Sequence, residues 1–272
     1  MEIEARNIAV RFRRMTVLQA INMTVGAGEV IGLIGPNGSG KTTLLRVLAN
    51  LRAPDGGTVS YDGRSAADVG ARRLAQQIAY LAQGAEVHWA MQVETLVGLG
   101  RLPYRRPMQG PSAGDRAAVE RAMAACDVGA LRNRTMNEVS GGERLRVLLA
   151  RALSVEAMML LADEPIAALD PLHQLRIMEL LRGTAREGRG VVVVLHDLAL
   201  AARYCDRLIL VAGGGILAQG KPADVLTDAH IAAAYGVEVA RGHKDGTPYL
   251  LPWLPSMTAK KPSPIPTMER AE

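Results

Sequence analysis

A five-residue apolar strand, a glycine-rich loop and a helical segment follow one another without a break: Val30-Ile31-Gly32-Leu33-Ile34, then Gly35-Pro36-Asn37-Gly38-Ser39-Gly40-Lys41-Thr42-Thr43, with helical periodicity over Thr43–Leu51. No other feature constrains the fold of these 272 residues as tightly. Glycines let successive backbone N–H groups turn inward around phosphate oxygens, Lys41 supplies charge to the outer phosphates, and the Thr42 hydroxyl suits Mg²⁺. A turn that merely caps a helix needs no Lys-Thr pair, so the ligand expected here is a nucleoside triphosphate. The run Val191–Leu195 (VVVVL) is likewise short, β-branched and apolar throughout. Strands of that kind are buried on both faces, as in a parallel or mixed sheet covered by helices. Ile3, Ile8 and Val10 mark a further strand by alternation. The expectation is an α/β fold.

Helical periodicity recurs over Asp115–Cys126, Glu143–Leu153 and Leu172–Arg186. Between about 84 and 114 the pattern loosens into GRLPYRRPMQGPSAG, which reads as a connecting surface loop. Thr258–Glu272 reads as an unstructured tail. At 49% hydrophobic residues the chain can bury a large core, which excludes wholesale disorder. The net charge of +5 is almost all arginine, since only five of the 32 basic residues are lysines. Guanidinium forks suit phosphates, but so small an excess gives no reason to expect nucleic acid. Cys126 and Cys205 stand far apart, without CxxC spacing, and predict neither a disulfide framework nor a zinc site. The apolar runs are much shorter than the roughly 20 residues of a spanning helix, and the acidic N-terminus is no signal peptide, so a membrane role is expected to come from a partner.

Met159-Leu160-Leu161-Ala162-Asp163-Glu164-Pro165 is an apolar strand ending in two carboxylates. Ligands sit at the C-terminal ends of parallel strands. Beside the phosphate loop, Asp163 is placed to hold Mg²⁺ and Glu164 to orient or activate the attacking water. His196 follows the Val191–Leu195 strand and is either a satisfied polar end-group or a hydrogen-bond partner of the γ-phosphate. Between the two halves lies Val139-Ser140-Gly141-Gly142-Glu143-Arg144. Ser140 and Glu143 fit a capping box. Two glycines in a first helical turn, at roughly 1 kcal/mol each against Ala, are more than a cap needs. They leave a second anion-binding helix end. One triphosphate has no evident need of two such ends in one chain, which predicts a two-fold pair of chains sharing each nucleotide.

In order, these motifs resemble the ATP-binding subunit of ABC transporters over nearly the whole chain up to about residue 255. GPNGSGKTT, Gln83, VSGGER, LLADEP, Ala168-Leu169-Asp170 and His196 match the family's Walker A, Q-loop, signature, Walker B, D-loop and H-loop. The resemblance implies ATP and Mg²⁺ as cofactors and a P-loop NTPase (RecA-like) core of about 1–82 and 154–255. It also implies an antiparallel β subdomain and an inserted helical subdomain of about 83–153, followed by a tail from 256 to 272. It implies that Gly35 to Thr43 bind ATP and that Thr42, Gln83 and Asp163 serve the metal. By the same likeness Glu164 is the catalytic base, Gln83 contacts the attacking water and relays permease movement, and His196 senses the γ-phosphate. Ser140, Gly141, Gly142 and Glu143 then form the trans signature and Asp170 a dimer contact. Phe12, the single phenylalanine, falls where the family stacks an aromatic on adenine, although core packing would also favour it. VSGGE in place of the commoner LSGGQ, and IAALD at the D-loop, are the departures.

The stretch VETLVGLGRLPYRR resembles importers for iron–siderophore complexes, haem and cobalamin. It implies a cytoplasmic-side, peripheral ATPase attached to a separately encoded permease and, indirectly, to a substrate-binding protein. His88, Trp89, Met91 and Arg101 are the docking residues expected on that likeness; the alternative for Trp89 and Met91 is to fill a small helical-subdomain core. An ATPase serving iron–sulfur assembly, or an importer ATPase for another substrate, stays open. A GTP switch lacks its Asn-Lys-x-Asp motif.

Overall fold

The computed structural model describes residues 1–13, 15–84, 90–106, 108–167, 169–244 and 247–256. Two sheets carry most of it. In the first, β1 (Ile3–Phe12) lies between β2 (Met15–Val25) and β4 (Gly56–Tyr61), with the two-residue β5 (Arg64–Ser65) at the edge, all antiparallel. The second has six strands in the order β10-β9-β3-β8-β7-β6. Here β3 (Val30–Ile34), β6 (Ile78–Leu81), β7 (Met159–Asp163), β8 (Gly190–Val194) and β9 (Arg207–Ala212) run parallel, and β10 (Gly215–Gly220) closes one edge antiparallel.

Alternation along the parallel strands decides the layering. Ile31, Leu33, Leu161, Val192 and Val194 join an apolar cluster with β1, β2 and helix α1 (Lys41–Leu48). Their neighbours Val30, Ile34, Leu160, Val191 and Val193 face the opposite way, into a larger cluster built by helices. That cluster takes in α4 (Val93–Gly98), α5 (Ala113–Ala125), α6 (Gly141–Leu153), α7 (Pro171–Arg186) and α8 (Leu198–Tyr204). The short helices α2 (Ala66–Val69) and α3 (Ala71–Gln77) lead into β6, while α9 (Pro222–Val225) and α10 (Asp228–Tyr235) follow β10. Among the described residues no helix is long and apolar enough to cross a membrane.

Each long helix begins one or two residues before its apolar periodicity does, because the residue that starts it is polar or glycine. Ser112 with Asp115 and Ser140 with Glu143 form capping boxes at α5 and α6, Asp170 caps α7 ahead of Pro171, and Gly40 starts α1.

The stretch expected as surface loop is a correction. Residues 93–104 form α4 and a following 3₁₀ segment, Leu99–Tyr104, with Val93, Leu96 and Val97 buried in the larger cluster. Arg101 is not a docking residue: it is 7% exposed, and its Nε donates to Asp115 Oδ1 at 2.9 Å. Its Nη1 donates to the Ser154 and Val155 carbonyls at 2.9 and 3.2 Å, and its guanidinium carbon lies 3.9 Å from the Tyr104 ring centroid. A buried Arg is tolerated when its donors are satisfied in this way. Met91 is partly buried against the same cluster, while His88 and Trp89 lie outside the described residues.

An unanticipated hairpin of β11 (Val237–Lys244) and β12 (Thr247–Pro255) packs on α8, with Leu250 buried. Ser256, one residue past the expected boundary, still donates its N–H to the Gly236 carbonyl at 2.8 Å. The rest of the expected tail lies outside the described residues.

Candidate active site

The loop after β3 is shaped by three glycines with positive φ. At Gly35 (φ 147°) an added Cβ would lie 2.1 Å from the Val211 carbonyl oxygen, and at Gly40 (φ 101°) 2.6 Å from Leu18 Cδ2. Gly38 (φ 77°) faces open space. The first two are therefore glycine because of what packs behind the loop, which the phosphate argument alone does not reveal. No side chain caps α1, so its first N–H groups point into the loop unclaimed. Lys41 is 6% exposed, and its Nζ donates to the Gly35 and Pro36 carbonyls at 2.8 and 2.9 Å. Burial pulls its pKa down, against the opposing pull of the Glu164 and Asp163 carboxylates. The Ser39 hydroxyl is buried and has no hydrogen-bond partner.

Parallel pairing of β7 with β6 and β8 brings the second half of the site to α1. Asp163, 1% exposed, accepts from Thr42 Oγ1 at 3.1 Å on one oxygen and from the Tyr80 hydroxyl at 3.4 Å on the other. Burial raises its pKa. Glu164 leaves the strand at φ 53°, a conformation uncommon for a non-glycine residue, and its Oε1 lies 2.6 Å from His196 Nε2. A cavity of about 670 Å³ collects these parts: Asn37, Gly38, Gly40, Lys41, Thr42 and Thr43 on one side, Gln83, Glu164 and His196 on another, and Phe12 with Val17 at an apolar end. Phe12 is 46% exposed and hence not a core residue. Val17 and Tyr80 were not expected. Val17 reads as an ordinary strand residue, and Tyr80 reaches Asp163 only because β6 pairs with β7.

Gly35, Pro36, Ser39 and Asp163 do not line the cavity but stand behind it. The helix end at 140–143 and Asp170 lie elsewhere. Ser140 Oγ accepts from the Glu143 N–H at 3.3 Å, and Glu143 Oε2 accepts from the Ser140 N–H at 2.8 Å, which lowers the Glu143 pKa. Ser140 and Gly141 are exposed, and among the described residues nothing lies within 4 Å of where a Gly141 side chain would begin. Asp170 is held on both oxygens by His173, at 3.0 Å from its backbone N–H and 2.7 Å from Nδ1, and these bonds lower its pKa.

A family model described as ABC transporter matches residues 18–167. Hemin import ATP-binding protein HmuV of Pseudomonas fluorescens is 40% identical over 252 residues, covering 89% of this chain and 97% of that protein. The chain belongs to the ABC transporter family. Membership makes it an ATPase. Cobalamin import ATP-binding protein BtuD of Halobacterium salinarum is also 40% identical, over 248 residues, covering 91% of this chain and 62% of that longer protein. Among solved structures, the dimeric bacterial ABC transporter cassette MJ0796 matches with a TM-score of 0.74 at 28% identity, covering 81% of this chain and 98% of that one.

The donor set fits Mg²⁺. Among the described residues no group of three or more His, Cys, Asp or Glu side chains is placed to hold a metal alone. Thr42 and Asp163 instead present hard oxygens side by side at the phosphate loop, and Mg²⁺ is commonly held by one or two protein oxygens together with substrate phosphates.

Proposed function

We propose that this cassette works as a pair of identical chains that bind two MgATP between them and hydrolyse them to drive a separately encoded importer permease. The observation that carries this is the division of the phosphate-directed parts. Lys41, Thr42, Gln83, Glu164 and His196 share one cavity, while the Ser140–Gly141 helix end is exposed and away from it. Helix N-termini attract anions, and an exposed one built with glycine suits a nucleotide presented by another surface. Each chain then lends its loop to one nucleotide and its Ser140 to Glu143 end to the other, with Asp170 at the contact.

In this reading the uncapped start of α1 and Lys41 hold the β- and γ-phosphates, and Lys41 exchanges its carbonyl partners for phosphate oxygens. Phe12 and Val17 receive the base. Thr42, Asp163 and Gln83 would hold Mg²⁺, which when bound neutralises developing charge on the phosphates. Glu164 accepts the proton of the attacking water. His196 Nε2 lies within hydrogen-bond reach of Glu164 Oε1, and with nucleotide bound it turns from that carboxylate to donate toward the γ-phosphate. Turnover thus depends on closure of the pair, and loss of the γ-phosphate removes the link between the two chains.

The segment 83–153 serves in this reading as the helical subdomain that meets the permease, with Gln83 at its hinge. The chain is accordingly assigned to the cytoplasmic face of the membrane, held there by its permease, with a substrate-binding protein as an indirect partner. The cargo class is iron–siderophore, haem or cobalamin, supported by the import proteins it resembles. The decisive experiment pairs ATPase assay with size-exclusion chromatography on Glu164→Gln. Loss of turnover with a stable ATP-bound dimer supports the scheme, and hydrolysis at the parental rate overturns it.

A further inference from the structure

Phe12 ends β1, and its half-exposed ring is not fixed by core packing. What covers it is Arg52, whose guanidinium carbon lies 4.0 Å from the ring centroid. Arg52 comes from the connection between α1 and β4 and is anchored independently of the ring. Its Nη2 donates to the Arg11 carbonyl at 2.9 Å and lies 3.7 Å from Asp55 Oδ2. Asp55 Oδ2 in turn accepts from the Arg11 N–H at 2.7 Å, and the Arg52 backbone N–H donates to the Arg46 carbonyl at 3.2 Å. Arg52 Nε is buried and has no hydrogen-bond partner. A donor left unmet costs free energy, so this placement is retained for the ring contact rather than for the best hydrogen bonding.

We infer that Arg52 is a positioning residue for the nucleotide base: it clamps one face of Phe12 so that the other is presented to adenine. The inference rests on the reading of Phe12 as the base-stacking residue. Aromatic faces carry negative quadrupole potential. A cation on one face draws π-electron density toward itself, and the opposite face stacks an electron-rich purine with less repulsion. Holding the ring in one orientation also lowers the ordering cost of binding. Neither effect reaches the triphosphate, which the loop after β3 holds.

The test is a double-mutant cycle on the full chain, with binding of MgATP and of magnesium tripolyphosphate measured by calorimetry. Arg52→Ala and Arg52→Gln should weaken MgATP about two- to fivefold, the size of a cation–π contact at a partly exposed site. Tripolyphosphate binding should be unchanged, Arg52→Lys should recover most of the loss, and Arg52→Ala should add nothing to Phe12→Ala. Equal losses for both ligands, or additive losses in the double variant, overturn the inference and assign Arg52 a general structural role. Phe12→Ala with parental ATP affinity overturns the stacking reading itself. Weak binding by Phe12→Ala beside parental binding by Arg52→Ala removes the inference alone.

Discussion

Helix α1 starts on Gly40 with no side chain claiming its first N–H groups, whereas α6 starts on Ser140 with a complete capping box. Both ends carry glycine, but for different reasons. At Gly35 and Gly40 the chain's own atoms forbid a side chain, and φ is positive. At Gly141 there is open space, so none of the described residues asks for glycine, which is destabilising in a helix by up to about 1 kcal/mol relative to Ala. At the start of α1 the surrounding chain itself demands glycine. At the start of α6 it does not, and the close approach of a second chain is what the proposed pairing would supply there.

Breaking the comparison is most direct at the chemistry. Glu164→Gln should cut turnover by about 10²- to 10⁴-fold, the usual worth of a positioned base, while equilibrium binding of ATP stays within about twofold. Ser140→Arg should abolish hydrolysis by at least about 10²-fold, comparable to removing a charge-stabilising donor, and leave nucleotide affinity of the isolated monomer unaltered. Preserved turnover there, measured at a protein concentration that sustains pairing, would erase the distinction between the two ends. The glycines sharpen it. Gly40→Ala should destabilise the fold by about 1–3 kcal/mol in denaturant titration, through strain and the clash with Leu18. Gly141→Ala should leave stability unchanged or raise it by up to about 1 kcal/mol, yet slow ATPase activity.

A separate effect concerns the support beneath α6. Arg101 beside Asp115 holds that carboxyl near a pKa of about 2, below the ordinary 3.8. A depressed carboxylate stabilises the fold at pH above its unfolded value and ceases to do so as pH falls through its folded one. The carboxylate, with Arg101 first and the Ser112 hydroxyl and N–H beside it, should therefore contribute about 1–2 kcal/mol at neutral pH, lost between about pH 4 and pH 2 and missing in Asp115→Asn at neutral pH. Acid titration of unfolding free energy for the two proteins checks it. The two curves should converge at the acid end.

Much of the site was legible because its parts are contiguous runs whose chemistry is local: the glycines with Lys41 and Thr42, the carboxylates closing β7, and Ser140 three residues before Glu143. Less legible were positions defined by partners far along the chain. Arg101 looked like a surface residue among prolines and arginines, and its burial depends on Asp115, Ser154 and Val155, which no window around residue 101 contains. The same holds for Val17 at the cavity, for Tyr80 behind Asp163, and for Arg52 over Phe12. Helix starts slipped by a residue or two because apolar periodicity begins inside the first turn, whereas the caps sit before it. The C-terminal hairpin escaped because its second strand carries prolines and exposed apolar residues, a poor match to simple alternation.

The larger apolar cluster has a mechanical consequence. It runs from Val97, Met123 and Leu148 through Ile177 to Val193 and Leu208 without a seam, so the helices between 93 and 153 and the floor of the sheet share one interior. Close-packed interiors are stiff and transmit strain rather than absorbing it. On the proposed reading, a push on the helical end would then be felt at the strand tips bearing Glu164 and His196.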